Sequence, residues 1–250
     1  MIEISNTEVT GWEAAIRGMR NPLNSWDKSD SIFTSEGNNE GTDCPCLCPL
    51  IFPVLGANDL DRMRRLAAAG SDHAKYRRMI TVYADVVAPL YWWKEYDTYK
   101  VGTVANSCST MHKITDKEFT LDDFSHEHLE NLPLVEKREL EGWEITQLNQ
   151  PSLEILKITI MALNSARINY LKAKKNGADG FTLKRYWWQM IQLLPSSYNQ
   201  RRTIMVNYEV LANMYHSRRN HKLDEWREFC KWIESLPYSE LITGGVKNDD

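Results

Sequence analysis

The sequence predicts a mainly helical α+β protein with a small sheet, and three observations carry that expectation. Apolar residues recur at helical spacing over 58–70, 151–177 and 181–195. The stretch Ile80-Thr81-Val82-Tyr83-Ala84-Asp85 alternates apolar and polar side chains, as a half-buried strand does. A chain of 250 residues with 42% hydrophobic content is long enough to bury a sizeable core.

Taken in order, EVTGWEAAIRGMR (8–20) reads as a helix that stops at Asn21-Pro22, because the residue before proline disfavours helix. Residues 21–58 hold Pro, Gly, Asn and Ser with little periodicity and read as a long loop or inserted excursion. In NDLDRMRRLAAAG (58–70), Asn58 or Asp59 is the expected cap, Leu60, Met63 and Leu66 form the apolar stripe, and Gly70 ends the helix. The strand over 80–85 follows. Residues 114–150 are charged, with two short helical signals at 120–132 and 134–145. A long amphipathic helix over 151–177 has Pro151 at its first turn and Gly177 at its end. A further helix over 181–195 closes at Pro195, and 203–237 supplies one or two more.

Composition excludes several classes. A formal charge of −4 is unlike the basic footprint of a dedicated nucleic-acid binder. No apolar run reaches the roughly 20 residues of a membrane span. The acidic start MIEISNTEVTGWEAA has no signal-peptide core, so the expected location is cytoplasmic. Cys44, Cys46 and Cys48 stand in DCPCLCP, but their spacing is too short for the usual zinc pairs and no second cluster completes a set; reduced thiols are expected. His126 and His128 flank Glu127 on an acidic segment and are expected at the surface, so no metal site is predicted. Phosphate-loop, Rossmann, nucleophile-elbow and H-E-x-x-H motifs are all absent.

Two stretches remain as candidate chemistry. YWWKEYDTYKVGTVANSCSTMHK (91–113) runs from aromatics into a polar segment, which is either a site or a buried turn. VNYEVLANMYHSRRNHKLDEW (206–226) places Asn207, Leu211, Met214 and Arg218 along one helical face. An arginine on a packed face needs an anion or carboxylate.

Together these stretches resemble the flavin-dependent thymidylate synthases of the ThyX type. That family's signature has the form R-H-R-x-x-S-x-N-x-x-S-x-R-Y, preceded by Ala-Pro. Here Ala88-Pro89 leads into the segment, Asn106 and Ser109 match the signature's Asn and second Ser, and His112 takes the place of its final Tyr. Thr98-Tyr99-Lys100 stand where R-H-R falls, with Thr103 near the first Ser. Downstream, Leu194-Pro195 is followed by Val206-Asn207, Leu211, Asn213 and Arg218, similar to the family's V-N-x-R-x-L-x-N-F-x-x-x-R.

The resemblance implies a single ThyX-like domain over 1–250 with a small central antiparallel sheet, an inserted loop at about 21–57 and a flexible C-terminal tail. It implies a homotetramer with sites between subunits and a pyrimidine nucleotide ligand, without membrane or dedicated nucleic-acid binding. The family methylates dUMP with FAD, NADPH and methylenetetrahydrofolate. The implied binding residues are Lys94, Tyr99, Lys100, Thr103, Asn106, Ser109, His112, Arg201, Asn207, Asn213 and Arg218. The departures are specific: R-H-R is missing, and Met111, Ile191 and Glu209 replace family arginines. Each charge-assisted phosphate contact contributes about 1.5–3 kcal/mol, so the loss of several matters. Lys94, Lys100, Arg77, Arg78, Arg201 and Arg202 are the nearby substitutes. Two readings stay open: a flavin-dependent enzyme, or an inactive homo-oligomer that binds, senses or sequesters a nucleotide.

Overall fold

Gly11 sets the first corner of the chain. Its φ of 88° is left-handed, and a Cβ there would meet the Met79 carbonyl oxygen at 2.1 Å, so only glycine fits without strain. Strand β1 (Glu3–Thr10) ends at this corner and helix α1 (Trp12–Arg20) begins beyond it. The helix expected from Glu8 therefore starts four residues later. Its first three expected residues belong to an edge strand whose polar sequence gives little alternation to read.

The computed structural model describes residues 2–33, 53–131, 139–140, 143–144 and 151–244. Cys44, Cys46 and Cys48, most of the loop at 21–57 and the tail beyond 244 lie outside the described residues. After α1 come α2 (Ala57–Ala68), β2 (Thr81–Pro89), α3 (Leu90–Tyr96), β3 (Thr103–Ser107) and the short α4 (Thr110–Lys113). The strand pair β4 (Glu139–Leu140) and β5 (Trp143–Glu144) precedes α5 (Ser152–Lys175) and α6 (Gly180–Leu193). Strand β6 (Asn199–Asn207), α7 (Tyr208–Arg218), α8 (Asp224–Glu234) and α9 (Glu240–Thr243) complete the order. The main sheet is four-stranded and antiparallel with order β1-β2-β6-β3. No described helix is long and apolar enough to cross a membrane.

The described residues form two compact units. One holds 87–95 and 107–202; the other holds 2–86, 96–106 and 203–244. In the first unit α5 and α6 pack on each other. Gly177, at φ 72°, permits the reversal between them, and the Asp179 carboxylate caps α6 by accepting from Thr182 N–H at 2.7 Å. Leu156, Ile160, Leu163 and Ala166 project from α5 into a core with Phe119, Phe124 and Met190. The helical signal at 120–132 yields only a 3-10 turn over Leu121–Asp123, closed by a Thr120/Asp123 capping box. Phe124 is then buried and bridges Tyr198 as extended chain, which ends any helix there. The signal at 134–145 is replaced, among its described residues, by the β4–β5 pair.

In the second unit β2 behaves as its alternation predicts: Val82, Ala84 and Val86 are buried while Tyr83 is exposed. Helices α1, α7, α8 and α9 contribute Trp12, Ile16, Leu211, Met214, Trp226, Phe229 and Leu241 to the core. Asp59 is the polar centre of this unit. It is wholly buried and pairs with the equally buried Arg20, whose Nε donates to Oδ1 at 2.6 Å. Ser29, Ser31 and the backbone N–H groups of Asp30 and Ser31 donate to the other oxygen. With its carboxylate so engaged, Asp59 cannot cap α2; the Asp30 carboxylate does so, accepting from Asn58 and Asp59 N–H at 2.9 and 3.0 Å.

Burial raises the Asp59 pKa, but the hydrogen bonds from Ser29, Ser31, Arg20 and Asp30 outweigh it and hold the carboxyl below its ordinary value. A depressed folded-state pKa adds stability above the unfolded carboxylate pKa of about 4, lost as pH falls through the folded value. Asp59→Asn leaves Arg20 buried and uncompensated, so urea unfolding at pH 7 should show a loss of about 3–5 kcal/mol. The variant should also lose part of the wild-type acid sensitivity below pH about 4.

Candidate functional site

The site segment after β3 is positioned by one glutamine. Gln200, on β6, donates from Nε2 to the Cys108 carbonyl at 3.0 Å and to Thr110 Oγ1 at 3.1 Å. The backbone repeats the tie, Cys108 N–H donating to the Arg201 carbonyl at 3.0 Å. Gln200 is itself held: Arg202 Nε donates to its Oε1 at 3.0 Å, and Trp93 Nε1 donates to its carbonyl at 2.9 Å. The Arg202 guanidinium lies over the Trp93 ring at 4.2 Å, a cation–π contact with a wholly buried indole. Trp92 and Trp93 are thus core residues, and neither offers a face for stacking on a base. Tyr96 is buried too.

Thr110–Lys113 can then form α4, with Ser109 as its cap. Ser109 Oγ accepts from His112 N–H at 3.3 Å and lies 2.6 Å from His112 Nδ1. Arg167 Nε, from α5, donates to the Thr115 carbonyl at 2.9 Å, and Trp187 Nε1, from α6, donates to the Met111 carbonyl at 3.0 Å. These contacts frame a cleft of about 460 Å³ within the first unit. Ile114, Phe119 and Val87 supply its apolar wall; Ser109, Tyr198 and Arg201 face it with Lys113 and Lys117.

The cleft is mixed in charge. Lys113, Lys117 and Arg201 line it together with Asp116, Asp122 and Asp123. Lys113 bonds Asp116 at 2.8 Å, and Lys117 bonds Asp123. Each lysine is held above its ordinary pKa first by that hydrogen bond and then, for Lys113, by the charge of its partner. Tyr198 is raised by burial and, secondarily, by Asp123, so its hydroxyl remains protonated and able to donate.

Of the residues singled out in the sequence, Ser109 and Arg201 line this cleft, and His112 reaches it through Ser109. Lys94 is exposed on α3 in the same unit. Tyr99, Lys100, Thr103, Asn106, Asn207, Asn213 and Arg218 belong to the second unit. There Arg218 Nε donates to Tyr99 Oη at 3.0 Å, and its guanidinium stacks over the Trp226 and Tyr99 rings at 4.9 and 5.7 Å. Thr103 Oγ1 donates to the Tyr99 carbonyl. Asn207 ends β6 and caps α7, accepting from Val210 N–H at 3.0 Å. Gly102, at φ 77°, lets the chain pass it: a Cβ there would lie 2.8 Å from Asn207 Nδ2. Lys100, Asn106 and Asn213 are exposed.

Two expected phosphate substitutes do not line this cleft. Arg202 is stacked on Trp93, and Arg77 is buried against Glu209 at 3.6 Å. His126 Nδ1 bonds the Phe124 carbonyl at 2.8 Å, and no cluster among the described residues could hold a metal ion. Sequence reasoning missed Lys113, Lys117, Tyr198 and Gln200. The available signal was position: Lys113 and Lys117 follow the motif four residues apart, and Tyr198 and Gln200 lie three and one residues before Arg201.

The order of elements and the sheet are those of the flavin-dependent thymidylate synthase fold. No protein-family model matches the sequence, and no curated protein matches it. Among solved structures, the chain is similar to the flavin-dependent thymidylate synthase ThyX from Helicobacter pylori complexed with FAD and dUMP. The TM-score is 0.59 at 15% identity, covering 98% of this chain and 100% of that one. It is also similar to the UMP/dUMP methylase PolB from Streptomyces cacaoi bound with 5-Br dUMP, with TM-score 0.51, 13% identity and coverage of 98% and 94%. At such identities the likeness is one of fold.

The cap assigns Asn207 a measurable structural role. Asn207→Ala should lower the unfolding free energy by about 1 kcal/mol, and Asn207→Asp, which keeps an acceptor, should recover most of it in the same urea titration.

Proposed function

We propose that this chain binds a pyrimidine nucleotide in the cleft of the first unit. One observation carries the reading: on a fold whose solved representatives bind dUMP, that cleft joins Ser109, matched on the signature motif, to Arg201. Arg201 would meet the phosphate, Ser109 and the Tyr198 hydroxyl would bond the base or sugar, and Phe119 and Ile114 would exclude water from the ring. The fold likeness runs over 98% of the chain, which supports treating residues 1–250 as one domain.

A second cavity supports the FAD part of this reading. A cavity of about 510 Å³ in the second unit has Arg62, His73 and Lys75 beside Met19, Leu66, Tyr76 and Met79. Arg62 Nε is buried and makes no hydrogen bond among the described residues, an orphan donor suited to a pyrophosphate oxygen. Bound FAD would supply the hydride for a methylation of the dUMP-to-dTMP type, with NADPH and methylenetetrahydrofolate as co-substrates. The chain's own contribution is to bind and orient these groups.

The second reading, a non-catalytic nucleotide binder, draws on the charge of the cleft. Lys113 and Lys117 are already paired, and three carboxylates line the wall, which weakens the hold on a polyanion. A second copy of this chain would cover the apolar face of α5, where Ile158, Met161 and Ile168 are 53%, 70% and 45% exposed. The homotetramer reading rests on that face.

A ligand-screening melt tests the proposal. Saturation with dUMP at a hundredfold excess over Kd should add about 2.7 kcal/mol of stability, and Ser109→Ala or Arg201→Ala should each weaken binding about tenfold. A yellow protein that oxidises NADPH when dUMP is added supports the enzyme. A colourless protein that still binds dUMP supports the binder, and failure to bind any nucleotide overturns both. In size-exclusion chromatography with light scattering, Ile158→Glu/Met161→Glu should reduce the assembly to smaller species.

A further inference from the structure

The second unit holds a buried ion pair that is incompletely bonded. Arg77 is 8% exposed and Glu209 is 7% exposed, yet the Arg77 Nη1–Glu209 Oε2 separation is 3.6 Å, too long for a hydrogen bond. Arg77 Nε and Glu209 Oε2 make no hydrogen bond among the described residues. Buried charges are tolerated when their remaining donors and lone pairs are satisfied, so a guanidinium left in this state points to a missing partner.

Arg77 also lines a cavity of about 390 Å³, which shares no lining residue with the nucleotide cleft. Arg64 and Glu240 stand at its wall, paired with each other at 2.8 Å, and His216 closes another side. Burial, and after it the charges of Arg219 and Arg77, hold the His216 imidazole below its ordinary pKa. Arg219 and Arg77 act on the imidazole, and Arg64 shares the cavity wall with it, facing Glu240. A guanidinium fork matches the oxygens of a phosphate, and its five donors are not exhausted by Glu209 and Tyr76.

We propose that this cavity is an anion site for a phosphate group, anchored by Arg77 and completed by Arg64 and His216. The inference stands apart from the nucleotide reading, since the two cavities have different residues. The phosphate oxygens accept from the Arg77 and Arg64 guanidinium groups and from protonated His216. Binding is therefore coupled to proton uptake by His216, with Glu240 and Glu209 as the opposing charges.

The test is an NMR titration of the His216 imidazole in the full chain, assigned with His216→Asn, against inorganic phosphate and separately against uridine monophosphate. Phosphate should raise the His216 pKa by about one pH unit. Its affinity should be higher at pH 6 than at pH 8. Arg64→Ala should weaken binding about tenfold by removing a charge-assisted contact. Glu240→Gln, which removes the repelling carboxylate, should tighten it, a gain that misfolding does not produce. Arg201→Ala, in the other cleft, should leave phosphate affinity unchanged. A response to both ligands supports a site that reads phosphate esters, and a response to inorganic phosphate alone supports one that reads the free anion. An unmoved His216 pKa, or phosphate binding that is lost with Arg201→Ala and kept with Arg64→Ala, overturns the proposal.

Discussion

The second unit depends on a carboxylate that has left water. Asp59 takes an arginine, two hydroxyls and two backbone N–H groups on its two oxygens, and these donors arrive from α1 and from residues 29–31. Because a buried charge is costly until every lone pair is met, the arrangement is all-or-none. It draws α2 to α1 and fixes the path of residues 29–31, from which Asp30 then caps α2. Three local structures thus rest on one ionised group.

The legible part of the fold was the part built from nearest neighbours. Helices α5 and α6 are long, periodic and closed by Gly177, Asp179 and Pro195, so local physics alone predicts them. Strand β2 was equally plain, since its alternation survives into burial. What failed depended on distant partners. Asp59 looks like a helix cap until Arg20, 39 residues earlier, claims its carboxylate. Residues 121–123 turn only once because Phe124 is needed in the core beside Tyr198. Strand β1 hides in a polar stretch that gives an edge strand little hydrophobic alternation.

The same division runs through the candidate site. Ser109 was found because a motif carries it, and Arg201 because a cation near a motif is a natural phosphate partner. The lysines were missed because nothing in TMHKITDK says which of them will face Tyr198. Charge tells a similar story: of the neighbouring arginines Arg201 and Arg202, both expected substitutes for the lost signature cations, only Arg201 lines the cleft, and the motif-matched Arg218 lies in the other unit. Arg202 stiffens the strand that carries Arg201, and Arg218 stacks on Trp226 beside Tyr99. Arg202 and Arg218 therefore serve packing in this fold.

The stacking of Arg202 on Trp93 ties the cleft to the core of its unit. The guanidinium sits 4.2 Å over the indole, while the adjoining residue, Arg201, faces the cleft. The cation–π contact holds one face of the ring and the Gln200 carbonyl fixes the Trp93 N–H, so the indole has little freedom to reorient. The cleft wall and a buried, immobilised indole are therefore joined through two consecutive residues of β6.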